Sequence, residues 1–177
     1  MTRFINLLTV IRILLAPIIL LFLIFGEYLL CISLFLLAGM SDYFDGHLAR
    51  KFNAESQLGE ILDPIADKIL VVFILIGLSV NLHSYLMAVM SSLIISREIG
   101  IAALRDYAAR NEMSHKTKVT FLAKSKTAIQ LSTILLYLIA LSFNLNLLII
   151  IGDVSLIASA LITLYTGYEY ANNIFTK

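Results

Sequence analysis

The sequence predicts an all-α integral membrane protein, a single domain over residues 1–177 built as a bundle of six transmembrane helices with a polar cavity open to the cytosol. Three observations predict it. Hydrophobic residues make up 60% of the 177 and charged residues only 14%, with a mean hydropathy of +0.93. A soluble domain is nearer half apolar and a quarter charged, so this much apolar surface needs a bilayer to face. Apolar windows near the ~20 residues required to span that bilayer recur between short polar breaks. All 13 lysines and arginines fall on one side when the windows are threaded through a membrane.

The windows place helices at about 5–25, 28–49, 60–81, 84–109, 120–143 and 146–171. The first follows a short charged start, and no small-residue cleavage site succeeds it, so it reads as a membrane helix and not as a removed signal. The breaks after helices one, three and five are tight (Gly26-Glu27, Asn81-Leu82-His83, Asn144-Leu145-Asn146) and carry no Lys or Arg. The other two are basic, with Arg50 and Lys51 in one and Arg110, Lys116 and Lys118 in the other. Basic loops stay inside, which puts both termini in the cytosol and requires an even number of spans.

A formal net charge of +1 and the absence of any Lys/Arg run give no reason to expect a nucleic-acid partner. The lone Cys31 allows no internal disulfide and reads as a small lipid-facing hydrophobe. The tyrosines near the ends of the windows fit an aromatic belt, and Asp153 and Glu169 read as single interfacial acids.

The polar cavity follows from depth. From the outer side, helices two to four stay apolar for about 13 residues, or ~20 Å at helical rise, while the hydrocarbon is about 30 Å thick. Charged groups therefore begin inside the inner third, where ionisable side chains face one another or a wet cavity.

The densest of these is SDYFDGHLARKFNAESQLGEILDPIADK. Asp42, Asp45 and Ala49 share a helix face at i, i+3 and i+7, and Asp63 and Asp67 share the next helix's face at i and i+4. The linking loop is short enough for the faces to meet. Four converging carboxylates repel one another and are costly to desolvate, so they call for cations. All-oxygen donors without His or Cys suit hard divalent ions, and a pair of metals about 4 Å apart would clamp a phosphoryl group. Small residues at Gly46, Ala49 and Gly59 let a diphosphate approach the backbone, and Arg50 offers phosphate a bidentate fork. The plainer alternative is a solvated D-x2-D at a helix end, with Asp63 as an N-cap before Pro64. It leaves Asp67, one turn into a membrane helix, without a reason.

These positions resemble the signature of the CDP-alcohol phosphotransferase family, D-x2-D-G-x2-A-R-x8-G-x3-D-x3-D, at every specified position. The resemblance implies two divalent cations, Mg²⁺ or Mn²⁺, on Asp42, Asp45, Asp63 and Asp67, and cleavage of a CDP-linked donor with release of CMP. It further implies that Asp67 is the general base on the acceptor hydroxyl. Gly46, Ala49, Arg50 and Gly59 would lie near the nucleotide. Asn6 and Thr9 would join them, because NLLTVIR (Asn6, Thr9, Arg12) is similar to the family's first-helix pattern. The alternative for that stretch is an amphipathic start lying in the interface.

The signature names the donor class and leaves the alcohol open. Arg97, Lys124 and Lys126, with Arg105, are the candidate subsite for an acceptor phosphate. SREIGIAALRDY and LAKSKTAIQ resemble the matching stretches of family members that use glycerol 3-phosphate, except that Ala123 stands where those usually carry glycine. Alternatives are an internal Arg97–Glu98 ion pair, snorkelling of Lys124 and Lys126, and pairing of Arg105 with Asp106. The implied reaction takes a phosphatidyl group from CDP-diacylglycerol to glycerol 3-phosphate, in a homodimer of the bacterial inner membrane. Serine, inositol phosphate or phosphatidylglycerol as acceptor is the near rival, and a cation-coupled transporter the distant one. The transporter predicts polar groups running to the outer face, and the apolar outer halves of helices two to four speak against it.

Overall fold

A computed structural model describes the backbone at residues 2–51, 57–111 and 121–175, and side chains at 6–42, 59, 61–111 and 126–175. The described residues form six α-helices: α1 Thr2–Phe25, α2 Tyr28–Lys51, α3 Gln57–Asn81, α4 Tyr85–Arg110, α5 Phe121–Phe143 and α6 Asn146–Phe175. Four are long and apolar enough to cross a membrane: α1 from Asn6, α4, α5 from Lys126, and α6. In α2 the apolar stretch among the described residues is Tyr28–Asp42, where the described side chains of that helix end. In α3 the acids Asp63 and Asp67 sit in the first half, and the continuous apolar run begins only beyond Lys68.

The three tight breaks are turns with one residue in the left-handed region: Gly26 at φ +79°, His83 at +49° and Asn144 at +54°. At the first, Gly26 N–H bonds the Leu23 carbonyl (3.1 Å) and Glu27 N–H reaches back to Phe22 (2.9 Å). That pair of bonds closes the last turn of α1 in a Schellman motif, for which glycine is the least strained residue. Asn144 does the same for α5, with Leu145 N–H bonding the Ala140 carbonyl (2.9 Å). After His83, Ser84 caps α4 by accepting from Met87 N–H (3.2 Å).

Pro64 lies inside α3, two turns past its start. Asp63 is therefore not an N-cap, and the alternative drawn from the Asp-Pro pair fails. The helix begins at Gln57, so proline falls in its interior and removes one backbone donor there.

By packing, the chain forms two units, Met1–His83 with Leu141–Asn144, and Ser84–Ala140 with Leu145–Lys177. In the first, α1 packs on both α2 and α3. Its buried residues Thr9, Arg12, Ala16, Ile19 and Leu23 follow a 3-4-3-4 spacing, one seam along one face. On α2, buried Cys31, Phe35 and Ala38 lead by the same spacing to Asp42. Gly77 of α3 lets α1 come close, since a Cβ there would stand 2.8 Å from Leu23 Cδ1 and 2.9 Å from Leu20 Cδ1. At the apolar end, Asn81 Nδ2 donates to the Leu23 carbonyl (3.0 Å) and its Oδ1 accepts from Tyr28 (3.0 Å), which ties the three helices. Such interhelical bonds are worth about 0.6 kcal/mol each on average in a bilayer. Cys31 does not face lipid as expected. It is fully buried, with its thiol 3.7 Å from the Ile19 carbonyl.

In the second unit α4 packs on α6, whose buried positions are mostly small or hydroxylated (Gly152, Ser159, Ala160, Thr163, Thr166 and Gly167), and Gly167 lies against Arg97 of α4. Tyr137 of α5 lies over Gly152, where a Cβ would be 2.9 Å from the ring, and donates to Asp153 (2.6 Å). Asp153 is thus the partner of a buried phenol and not a lone interfacial acid. Thr133 and Ser155 share a second α5–α6 bond at 2.6 Å.

Candidate active site

The seam of the first unit turns polar at the end away from Asn81. Thr9 and Arg12 occupy the same stripe of α1 as Ala16, Ile19 and Leu23 and are equally buried, with no accessible surface. A buried guanidinium in a membrane helix needs anionic partners. Arg12 Nη1 donates to Asp42 Oδ1 of α2 at 2.7 Å and to Asp67 Oδ1 of α3 at 2.8 Å. Thr9 Oγ1 donates to Asp63 Oδ1 at 2.8 Å. Three signature aspartates from two helices therefore meet the polar end of a third. NLLTVIR turns Thr9 and Arg12 into the packing of this unit and leaves Leu7, Val10 and Ile11 exposed.

Arg12 is sealed while the Asp42 and Asp67 side chains are 48% and 51% exposed. Each acid thus keeps one flank on a fixed cation and an open flank free to take a ligand. Gly59 is buried and Asn6 half-buried in the same unit. Positions 43–50 lie outside the described side chains, so Asp45, Gly46, Ala49 and Arg50 are placed only as part of the α2 helix. Among the described residues, no group of three His, Cys, Asp or Glu closes around a metal-sized point. In donor chemistry Asp42, Asp63 and Asp67 fit a hard divalent cation, being all-oxygen and half-open.

The second unit holds a separate charged cluster. The buried stripe of α4 is Met87, Ser91, Ile94, Ile101 and Ala108, and Glu98 and Arg105 fill its missing 3-4 steps. Glu98 Oε1 accepts from Arg97 Nη1 (3.2 Å) on one side and from Lys126 Nζ of α5 on the other. The side chains of Arg97 and Lys126 are 10% and 8% exposed. Two nearly buried cations thus share one carboxylate, which leaves a surplus positive charge. Arg97 also donates through Nη2 to Thr166 Oγ1 of α6 (2.9 Å), while its Nε is buried without a hydrogen-bond partner among the described residues.

The Arg97–Glu98 pair expected as an alternative does form, as part of this larger cluster. Arg105 does not pair with Asp106. Its guanidinium lies 5.9 Å from the Tyr170 ring centre, and Asp106 pairs with Arg110 (2.9 Å). The Lys124 side chain lies outside the described residues.

Sequence reasoning missed three things here. In the sequence Arg12 stands out only as a cytosolic-side cation and as part of a first-helix pattern. Its 3-4 spacing with Thr9, Ala16, Ile19 and Leu23 could have shown it to be on the buried stripe. In the sequence Glu98 pairs with its neighbour Arg97 alone, and its bond to Lys126, 28 positions on, carries no local signal. Thr166 and Gly167 carried no signal, since a Thr-Gly pair in an apolar helix is ordinary.

A helical membrane protein whose signature acids gather on one polar seam is built as an enzyme of phosphate chemistry at a membrane. The family model of CDP-alcohol phosphatidyltransferase matches residues 4–168, and the chain belongs to that family. Among its relatives, a protein of Blochmanniella floridana is 40% identical over 152 residues, 85% of this chain and 78% of the relative. One of Rickettsia bellii is 37% identical over 169 residues, 93% and 91% of the two chains, and one of Wigglesworthia glossinidia brevipalpis 37% over 137, 77% and 74%. All three are named CDP-diacylglycerol–glycerol-3-phosphate 3-phosphatidyltransferase.

Proposed function

We propose that this chain transfers the phosphatidyl group of CDP-diacylglycerol to glycerol 3-phosphate, giving phosphatidylglycerol phosphate and CMP. The observation that carries the reading is the gathering of Asp42, Asp63 and Asp67 by Arg12 and Thr9. The relatives' shared name supports the choice of acceptor.

Asp42, Asp45, Asp63 and Asp67 would hold two divalent cations, Mg²⁺ or Mn²⁺. When bound, these supply Lewis-acid neutralisation of the diphosphate and of the charge on departing CMP. The protein's own groups do the rest. Arg12 offsets the repulsion between Asp42 and Asp67, and Thr9 orients Asp63. Asn6, Thr9, Gly46, Ala49, Arg50 and Gly59 form the face for CDP. The open flank of Asp67 takes the proton from the acceptor's primary hydroxyl. That oxygen bonds the phosphorus carrying diacylglycerol as the bond to CMP breaks. Arg97, Lys124, Lys126 and Arg105 bind the acceptor's phosphate. As in other phosphoryl transfers, positioning and electrostatics lower the barrier.

The chain functions as one domain, since the family match runs through both units. It lies in the bacterial inner membrane as a homodimer, with both termini and the site facing the cytosol, as its one-sided basic residues support.

The test is CMP release by purified protein given CDP-diacylglycerol, Mg²⁺ or Mn²⁺, and one acceptor at a time. Release that requires glycerol 3-phosphate is expected. Release driven instead by serine, inositol phosphate or phosphatidylglycerol would reassign the acceptor. Ion flux in liposomes without CMP release would make the protein a transporter.

A further inference from the structure

Arg97 is held from a side that the acceptor reading does not use. Its side chain runs across Gly167 of α6, where a Cβ would stand 3.0 Å from Arg97 Cγ and 3.1 Å from Nε. An alanine there makes the arginine's stem give way by a few tenths of an ångström. One residue earlier, Thr166 meets Nη2 at 2.9 Å. The threonine's own hydrogen is turned to its helix, with the Ile162 carbonyl at 2.9 Å and that of Thr163 at 3.1 Å. A hydroxyl has one hydrogen, so toward Arg97 it presents lone pairs only. The guanidinium is therefore fixed at its stem by the missing side chain of Gly167 and at one nitrogen by Thr166. Glu98 takes the second terminal nitrogen, and Nε is left buried without a partner among the described residues.

We infer that Thr166 and Gly167 of α6 are positioning residues for the acceptor, a seat that aims Arg97 at the acceptor's phosphate. This rests on the proposed function. It adds α6 to the acceptor subsite, which the sequence assigned to α4 and α5 alone. An arginine has many rotamers, and ordering one costs free energy at binding unless the protein has already done it. The seat does so from outside the ion-pair cluster. Arg97 stays aimed even when an incoming phosphate competes with Glu98 for its terminal nitrogens.

The experiment compares Thr166→Val, Thr166→Ser and Gly167→Ala with the unaltered protein in nanodiscs. One measurement is the KM for each substrate and kcat. The other is the Kd for glycerol 3-phosphate by calorimetry without donor lipid. Thr166→Val keeps the shape and removes the acceptor of a charged hydrogen bond, so KM and Kd for glycerol 3-phosphate should rise about tenfold. Gly167→Ala should raise both in the same way. In both variants kcat and the KM for CDP-diacylglycerol should change less than about twofold, and Thr166→Ser should restore the unaltered values, because the hydroxyl returns. Unchanged acceptor constants in Thr166→Val and Gly167→Ala, or a loss in Thr166→Val that serine does not restore, overturn the seat. An unaltered protein that releases no CMP with glycerol 3-phosphate overturns the functional reading, and the seat with it.

Discussion

Arg12 stands wholly buried between two half-exposed carboxylates, so its charge is the one least able to find water if the arrangement breaks. Arg12→Met should therefore leave Asp42 and Asp67 repelling each other with no cation between them. The cost should be about 2 kcal/mol, below that of a fully buried pair because the acids are half in solvent. A fall in Tm of about 5 °C in detergent should report it, and an unchanged Tm would show the pair to be energetically idle. Asp67→Asn keeps the shape and a hydrogen-bonding oxygen for Arg12 but removes the proton acceptor. CMP release should be abolished while CDP-diacylglycerol still protects the protein against heat. Near-normal turnover would take the base role away from Asp67. Both residues were visible in the sequence, but only Asp67 with a role. The signature marks it, whereas Arg12 gains its meaning from partners 30 and 55 positions away.

Among the described residues α1, α2 and α4 each carry one 3-4 stripe, and along α1 and α2 the stripe is apolar for most of its length before it turns polar. This explains why helix limits were legible in the sequence to within a few residues, while α3 starts earlier than expected, at Gln57. Hydrophobic length marks where a bilayer ends but not where a helix does. An Asp-Pro pair looks the same at a helix start and in a helix interior. The turns carry a prediction of their own. Gly26 and Asn144 both hold a left-handed φ at the end of a helix. Gly26→Ala should destabilise by about 1 kcal/mol and Asn144→Gly should stabilise by about half that, since only glycine enters this region freely. Thermal midpoints moving in opposite directions would bear this out, and a stabilising Gly26→Ala would contradict the turn geometry.

At the scale of the whole molecule the prediction concerns sidedness. Cys31 is the only cysteine and is buried, so Cys31→Ser gives a blank background for single cysteines at Glu27, His83 and Arg110, all exposed. In spheroplasts a membrane-impermeant maleimide should label E27C and H83C and spare R110C, and in inverted vesicles the reverse. Labelling of R110C from outside would turn the topology over. Hydropathy, the one-sided basic residues and the acidic signature were open to reading because each is a local or additive property of the chain. A bilayer's thickness sets the first, its charge asymmetry the second, and the chemistry of phosphate and hard cations the third. The sequence by itself thus determined that this is a helical membrane protein, and its signature resembled the family to which the chain belongs. Only the tertiary structure decided that Arg12 joins Asp42 to Asp67, that Thr9 serves Asp63, and that Arg97 rests on Thr166 and Gly167. Those pairings depend on which helix faces meet and at what depth, a choice made by close packing at small residues and by the need of every buried charge for a partner.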